Sequence, residues 1–135
     1  MKTLRHLFMA LLLLCSITAS AYDFEVNGIY YNITNTTDKT VAVTSGTDKY
    51  TGSVIIPESI VYNGISYSVT SIQDVAFLHC NGLTSVVIPN SVTSIGTSAF
   101  NGCTSLKELY IEDGASLLSL SYNYYTPAGT GKGQS

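Results

Sequence analysis

Between Val69 and Ile111 the apolar residues recur with a period of 23. Val69, Ile72, Ala76, Phe77, Cys80, Leu83, Val86 and Ile88 of one stretch match Val92, Ile95, Ala99, Phe100, Cys103, Leu106, Leu109 and Ile111 of the next, with mostly Ser, Thr and Asn between them. A fixed period with matched apolar positions predicts an array of coils that bury their hydrophobic faces by stacking, so function is expected on an extended surface. Within a unit, Leu83, Val86 and Ile88 point inward on a short strand while Ser85 and Val87 point outward. Pro89, with no amide hydrogen for a ladder, ends that strand. Val92 and Ile95 supply a second inward pair, and Ala99, Phe100 and Cys103 have the spacing of one helical turn. The predicted coil therefore carries a strand on one side and a short helix or turn on the other.

The pattern starts before the clean repeat. Val54-Ile55-Ile56-Pro57-Glu58-Ser59-Ile60 matches Val86 to Val92 at a spacing of 32, one period plus nine residues, which places an inserted hairpin at 61–69. Strand segments then end at Ile56, Ile88 and Ile111, giving three rungs with two intact units between them. Upstream, Val26-Asn27-Gly28-Ile29 and Tyr62-Asn63-Gly64-Ile65 put Asn-Gly between β-prone residues, the signature of a type I′ hairpin. The two resemble each other at an offset of 36, and Thr40 to Thr44 reads as a further strand. After Ile111 the register fades: Leu117, Leu118 and Leu120 could open another coil, but Tyr122 to Ser135 lacks the Ala-Phe and Cys positions. The expected fold class is thus a repeat solenoid of short parallel strands and short helical turns, preceded by a β-hairpin-rich N-terminal region. Its expected divisions are a signal peptide at 1–21, a capping region at 22–53, the array at 54–113, and a degenerate repeat start with a flexible tail at 114–135. An array that stops without a polar cap leaves apolar edge groups exposed, so the chain is expected to be part of a longer one.

Charge and composition narrow the partners. Lys2 and Arg5, the apolar run Leu7 to Leu14 and the small residues Ala19-Ser20-Ala21 have the order of a secretory signal cleaved after Ala21. A lipid-modified Cys15 is disfavoured by the bulky Leu14 before it. The run is shorter than the roughly 20 residues of a membrane span, and no later stretch is apolar enough to anchor the chain, so it is expected to be secreted or held at the cell surface. Beyond Ala21, Lys39, Lys49, Lys107 and Lys132 face all nine carboxylates, a net charge of −5. No basic stripe exists to neutralise phosphates, which excludes nucleic acid and anionic membrane as expected partners.

The run Ile88-Pro89-x-Ser91-Val92-x-x-Ile95-x₃-Ala99-Phe100-x₂-Cys103-x₂-Leu106 resembles the leucine-rich repeats of BspA-like bacterial surface proteins, whose units are 23 residues long. The likeness covers Tyr22 to about Asp113, departing from the family pattern at Glu112, where Pro is usual, and at Asp74-Val75. It implies an exported binding module, with adhesins and host-protein binders as the characterised precedents.

Catalytic constellations are missing from the sequence. His79 has no partner at a motif spacing, and no nucleophile elbow or zinc-protease helix occurs. Gly129-Thr130-Gly131-Lys132-Gly133 fails as a phosphate loop because no Ser or Thr follows the lysine. Cys80 and Cys103 hold equivalent positions in neighbouring coils, close enough for a disulfide, although two equivalent small apolar slots explain them more simply; with His79 they are too few for a structural zinc site. Asn32-Ile33-Thr34 and Asn35-Thr36-Thr37 have the form of glycosylation acceptors, which a bacterial chain is expected to leave unmodified. One constellation carries a positive expectation: the outward row Ile55, Val87 and Tyr110, beside the row Ser53, Ser85 and Glu108. An aliphatic-aromatic ladder rimmed by hydroxyls suits binding of protein or glycan, though outward Val and Ile also serve strand formation alone. The expected function is therefore a non-enzymatic, cofactor-free surface adhesin for host extracellular protein. Alternatives are a glycan-binding module or the N-terminal repeat portion of a larger exported enzyme such as a peptidase.

Overall fold

The computed structural model describes residues 21–112 together with the backbone of two short strands, Ser119–Leu120 and Tyr125–Thr126. Residues 1–20 of the expected signal sequence, the rest of the expected tail and the Gly129 to Gly133 run lie outside the described residues. The elements are β1 (Phe24–Val26), β2 (Ile29–Asn35), β3 (Thr40–Thr44), β4 (Gly52–Ile55), β5 (Ser59–Tyr62), β6 (Ile65–Ile72), β7 (Leu83–Ile88), β8 (Ser94–Ile95), β9 (Phe100–Asn101), β10 (Glu108–Ile111), β11 (Ser119–Leu120) and β12 (Tyr125–Thr126). They form three sheets. The first runs β1-β2-β3-β6-β8-β11 with β5 also on β6, the second runs β10-β7-β4, and the third pairs β12 with β9.

Both Asn-Gly pairs turn hairpins. Asn27 and Gly28 take φ of 51° and 83°, Asn63 and Gly64 take 51° and 77°, and the flanking strands pair antiparallel. β1, β2 and β3 form an antiparallel meander, after which every added strand of the first sheet except β5 is parallel to its neighbour. β6 has two jobs: Ile65 to Ser68 pair with β5, while Ser71 and Ile72 pair with Ser94 and Ile95 of β8. The hairpin, paired from Ser59 to Ser68, is thus continuous with a solenoid strand that runs on to Ile72.

Parallel stacking brings equivalent residues into contact. Phe77 and Phe100 stack with centroids 4.8 Å apart and planes 14° from parallel, and Tyr50 (4.6 Å from Phe77) and Tyr30 (5.7 Å from Tyr50) continue the row into the N-terminal region. Leu83, Val86, Ile88, Val92 and Phe100 are fully buried, as the inward pattern requires. Full burial of such a side chain contributes about 1.5–3 kcal/mol, and an aromatic pair about 0.5–1.5 kcal/mol beyond that.

The expected helical turns are corrected: among the described residues there is no helix. Val75 and His79 take φ of 54° and 57°, and their equivalents Ser98 and Gly102 take 55° and 77°, so the two turns expected to be helical are each interrupted twice by left-handed backbone. Amides here bond three residues back, as Leu78 to Val75, Cys80 to Phe77 and Cys103 to Phe100, or across to the next coil, as Val75 to Thr97, Phe77 to Ala99 and His79 to Asn101. Spacing i, i+1, i+4 gave no warning, because a chain of tight turns places the same three side chains inward. Beyond Asp113, β11 and β12 pair with β8 and β9 in a common register, Leu120 opposite Ile95 and Tyr125 opposite Phe100. That coil is 25 residues from the one before it, where Ile72 and Ile95 stand 23 apart, and the two extra residues hide it from a search at fixed period.

Candidate binding face

The second sheet places all six predicted residues. Its three strands are in parallel register with Ile55 opposite Val87 and Val87 opposite Tyr110, and with Ser53 opposite Ser85 and Ser85 opposite Glu108. Neighbouring strands lie about 4.8 Å apart, so each set forms a continuous row across the sheet. The alternate residues Val54, Val86 and Ile88 face the core, which fixes the register and leaves the outward rows free to vary. Ile55 is 68% exposed and Tyr110 56%, with Val87 half-buried between them. The Ser85 hydroxyl donates to Ser53 Oγ at 2.8 Å, and Ser53 and Glu108 are exposed at the ends of that row. The face therefore offers apolar contact area beside hydroxyls and one carboxylate. It holds no nucleophile–base pair.

His79 sits exposed in a turn, and no group of three or more His, Cys, Asp or Glu able to hold a metal occurs among the described residues. Cys80 and Cys103 are buried and free, and the Cys103 thiol donates to the Phe77 carbonyl at 3.0 Å. Its hydrogen bond with Cys80, reinforced by burial, pushes its pKa well above the usual thiol range. Both are small core groups that tie one coil to the next.

A feature beside this face has no motif in the sequence. A cleft of about 380 Å³ separates β4 from the N-terminal meander, lined by Glu25, the Asn27-Gly28 turn, Asp48, Lys49, Tyr50, Ser53 and Ile55. The Tyr50 hydroxyl builds its wall, accepting from the buried Tyr30 amide at 3.0 Å and donating to the Thr44 carbonyl at 2.5 Å. The sequence contains each of these residues, but the antiparallel meander and the contacts of Tyr30 with Asp48 and Tyr50 bring them together.

A family model described as "BspA type Leucine rich repeat region (6 copies)" matches residues 54–126, more than half of the chain. The chain belongs to the BspA-type leucine-rich repeat family. The match runs past Asp113, in line with the register of β11 and β12. A leucine-rich repeat protein from Bacteroides ovatus is similar at 35% identity and a TM-score of 0.63, over 69% of this chain and 24% of that one. One from Bacteroides capillosus gives 33% and 0.56, over 66% and 64%, and a leucine rich cell surface protein from Faecalibacterium prausnitzii gives 28% and 0.55, over 77% and 31%. This chain spans only about a quarter to two thirds of the length of these proteins. No match is found among curated proteins. The matches name repeat and surface proteins and no catalytic family, and among the described residues no helix is long and apolar enough to cross a membrane.

Proposed function

We propose that this BspA-type chain is an exported, non-enzymatic surface adhesin that captures a host extracellular protein on the outward face of its second sheet, Ile55, Val87 and Tyr110 making the apolar contact and Ser53, Ser85 and Glu108 the polar rim. The observation that carries the reading is the exposure of Ile55 and Tyr110 in one register row of a sheet whose other side is buried on β4 and β7 and partly buried on β10. Large apolar side chains aligned on an open face are the usual mark of an interaction site, and Tyr with Ser supplies contact area and adaptable hydrogen bonds at low entropic cost. Family membership and a neighbour named as a cell surface protein support an extracellular location. The sequence of residues 1–21 supports export with cleavage after Ala21.

Capture from a panel of matrix and plasma proteins tests the reading. The double substitution Val87→Lys, Tyr110→Glu is expected to abolish capture while the circular dichroism spectrum stays unchanged. Retained capture removes the face from the reading. A glycan array run beside the panel distinguishes the second reading, favoured by the exposed Tyr110 ring next to hydroxyl side chains, in which the same face stacks on sugar rings.

A further inference from the structure

We infer that the open edge of β4 is a strand-addition site for an extended peptide segment of a partner protein, one carrying a basic side chain. Among the described residues β4 pairs with β7 alone, and lies at the end of its sheet. The Ile56 amide donates to the Val87 carbonyl on the β7 side. Alternation along a strand then sends the amides and carbonyls of Ser53 and Ile55 to the opposite side, where no other strand meets them. The N-terminal meander extends the first sheet by three strands, and no strand of the described residues pairs with this edge of the second sheet. Two amides and two carbonyls so aligned are the template that main-chain recognition uses.

The surroundings commit the edge to one occupant. The cleft runs along it, and its volume of about 380 Å³ is within the range of peptide-sized and ligand-sized sites. Glu25 and Asp48 line the cleft against the single cation Lys49, whose ammonium is turned to the Leu78 carbonyl at 2.8 Å, so the wall is acidic on balance. The open stretch is short, bracketed by a register shift between Gly52 and Ser53 and by Pro57. Those two interruptions disfavour edge-to-edge pairing of whole sheets, which needs a long regular strand, and leave room for a segment of a few residues. A bound segment would add a fourth strand beside Ile55, and its outward side chains would continue the row formed by Ile55, Val87 and Tyr110.

The test uses the full chain and a fluorescein-labelled peptide of sequence Lys-Val-Thr-Val-Lys-Val-Thr, read by anisotropy. Two peptide series are N-methylated at alternate residues. Strand addition predicts that one series loses binding by about tenfold or more while the other binds within about twofold of the parent, because only one set of amides faces β4. Replacing the peptide lysines by glutamine weakens binding to the parent chain, and far less to the Glu25→Gln, Asp48→Asn variant. Ile55→Pro removes an edge amide that makes no ladder bond and is expected to abolish binding, whereas Tyr110→Glu leaves it intact, which separates this site from the proposed face. Equal binding of both methylated series, or no binding of the parent peptide at millimolar concentration, overturns the inference. So does a concentration-dependent dimer in sedimentation that Ile55→Pro dissolves, since the edge would then belong to a second copy.

Discussion

Removing a single hydroxyl from the aromatic core is expected to have opposite effects at Tyr50 and Tyr31. The Tyr50 hydroxyl satisfies two buried backbone groups, the Tyr30 amide and the Thr44 carbonyl, and Tyr50, Tyr30 and Thr44 are each 5% exposed. Tyr50→Phe keeps the ring, with its contacts to Phe77 and Tyr30, but leaves both groups unpaired away from water. An orphaned buried polar group costs about 1–3 kcal/mol, so the pair is expected to cost about 2–4 kcal/mol after partial relaxation. That is a large share of the roughly 5–15 kcal/mol that holds a domain of this size folded. Tyr31 is fully buried and its hydroxyl has no hydrogen-bond partner. Tyr31→Phe therefore removes a desolvated group with nothing to lose, and is expected to be neutral or to stabilise by up to about 1 kcal/mol. Urea unfolding followed by far-ultraviolet circular dichroism measures both, the chain having no Trp to report by fluorescence. A shift of both midpoints in the same direction, or a greater loss at Tyr31 than at Tyr50, would refute the reasoning.

Alkaline unfolding tests the same two side chains by titration. Burial pushes the Tyr31 pKa up to about 12 and raises that of Tyr50 still further, against about 10 for tyrosine in an unfolded chain. Their contribution is intact below pH 10 and is lost as the pH climbs from 10 towards 12, by about 1.4 kcal/mol per pH unit for each tyrosine that ionises only when unfolded; Tyr31→Phe should flatten that fall, as urea midpoints at pH 9, 10 and 11 will show. Val75→Asn should raise stability by about 1 kcal/mol, because Val75 holds a φ of 54° that strains a β-branched residue and is 42% exposed, so little burial is lost. A lowered melting temperature would contradict it. Gly96→Ala should cost more than about 2 kcal/mol, since a Cβ there would lie 2.4 Å from the Asp74 amide nitrogen and 2.7 Å from the Gln73 carbonyl carbon, both backbone atoms of the preceding coil; an unchanged urea midpoint would show that the coils are less tightly stacked than this.

Much of the fold could be read from the sequence because its strongest signal is local. The inward positions repeat, so Val86, Ile88, Val92, Ile95 and Phe100 announce their burial, and both Asn-Gly turns specify their own backbone. The outward row followed from register alone, since strands stacked at a constant offset put Val87 opposite Tyr110 whatever those residues are. What escaped were features set by tertiary contact. Tyr50 takes the place of Phe77 one coil earlier, but its segment shares no spacing with the repeat, and only the ring stack reveals it. The helical turns were a wrong reading of a correct pattern: left-handed backbone at Val75 and Ser98, neither of them glycine, carries no residue-level signal. The cleft depends on Glu25 and Asp48 meeting around Tyr30, which pairs with Glu25 in the meander and whose hydroxyl accepts from the Asp48 amide, a contact that no period encodes.

The geometry of stacking also divides recognition into two kinds. Each added coil contributes one strand to the second sheet, and with it one residue to each outward row, so a longer array lengthens the face in steps of about 4.8 Å and can vary its chemistry row by row without disturbing the core. The same addition consumes an edge, because every internal strand is paired on both sides, as β7 is between β4 and β10. A strand with free backbone groups therefore exists only at an end. At the N-terminal end the meander extends the first sheet and, among the described residues, adds no strand to the second, so the main-chain groups of Ser53 and Ile55 stay beside the acidic cleft however many coils follow. Selection acting on the repeats can retune the face, while the edge can be altered only through the few residues of β4 and the loops around it.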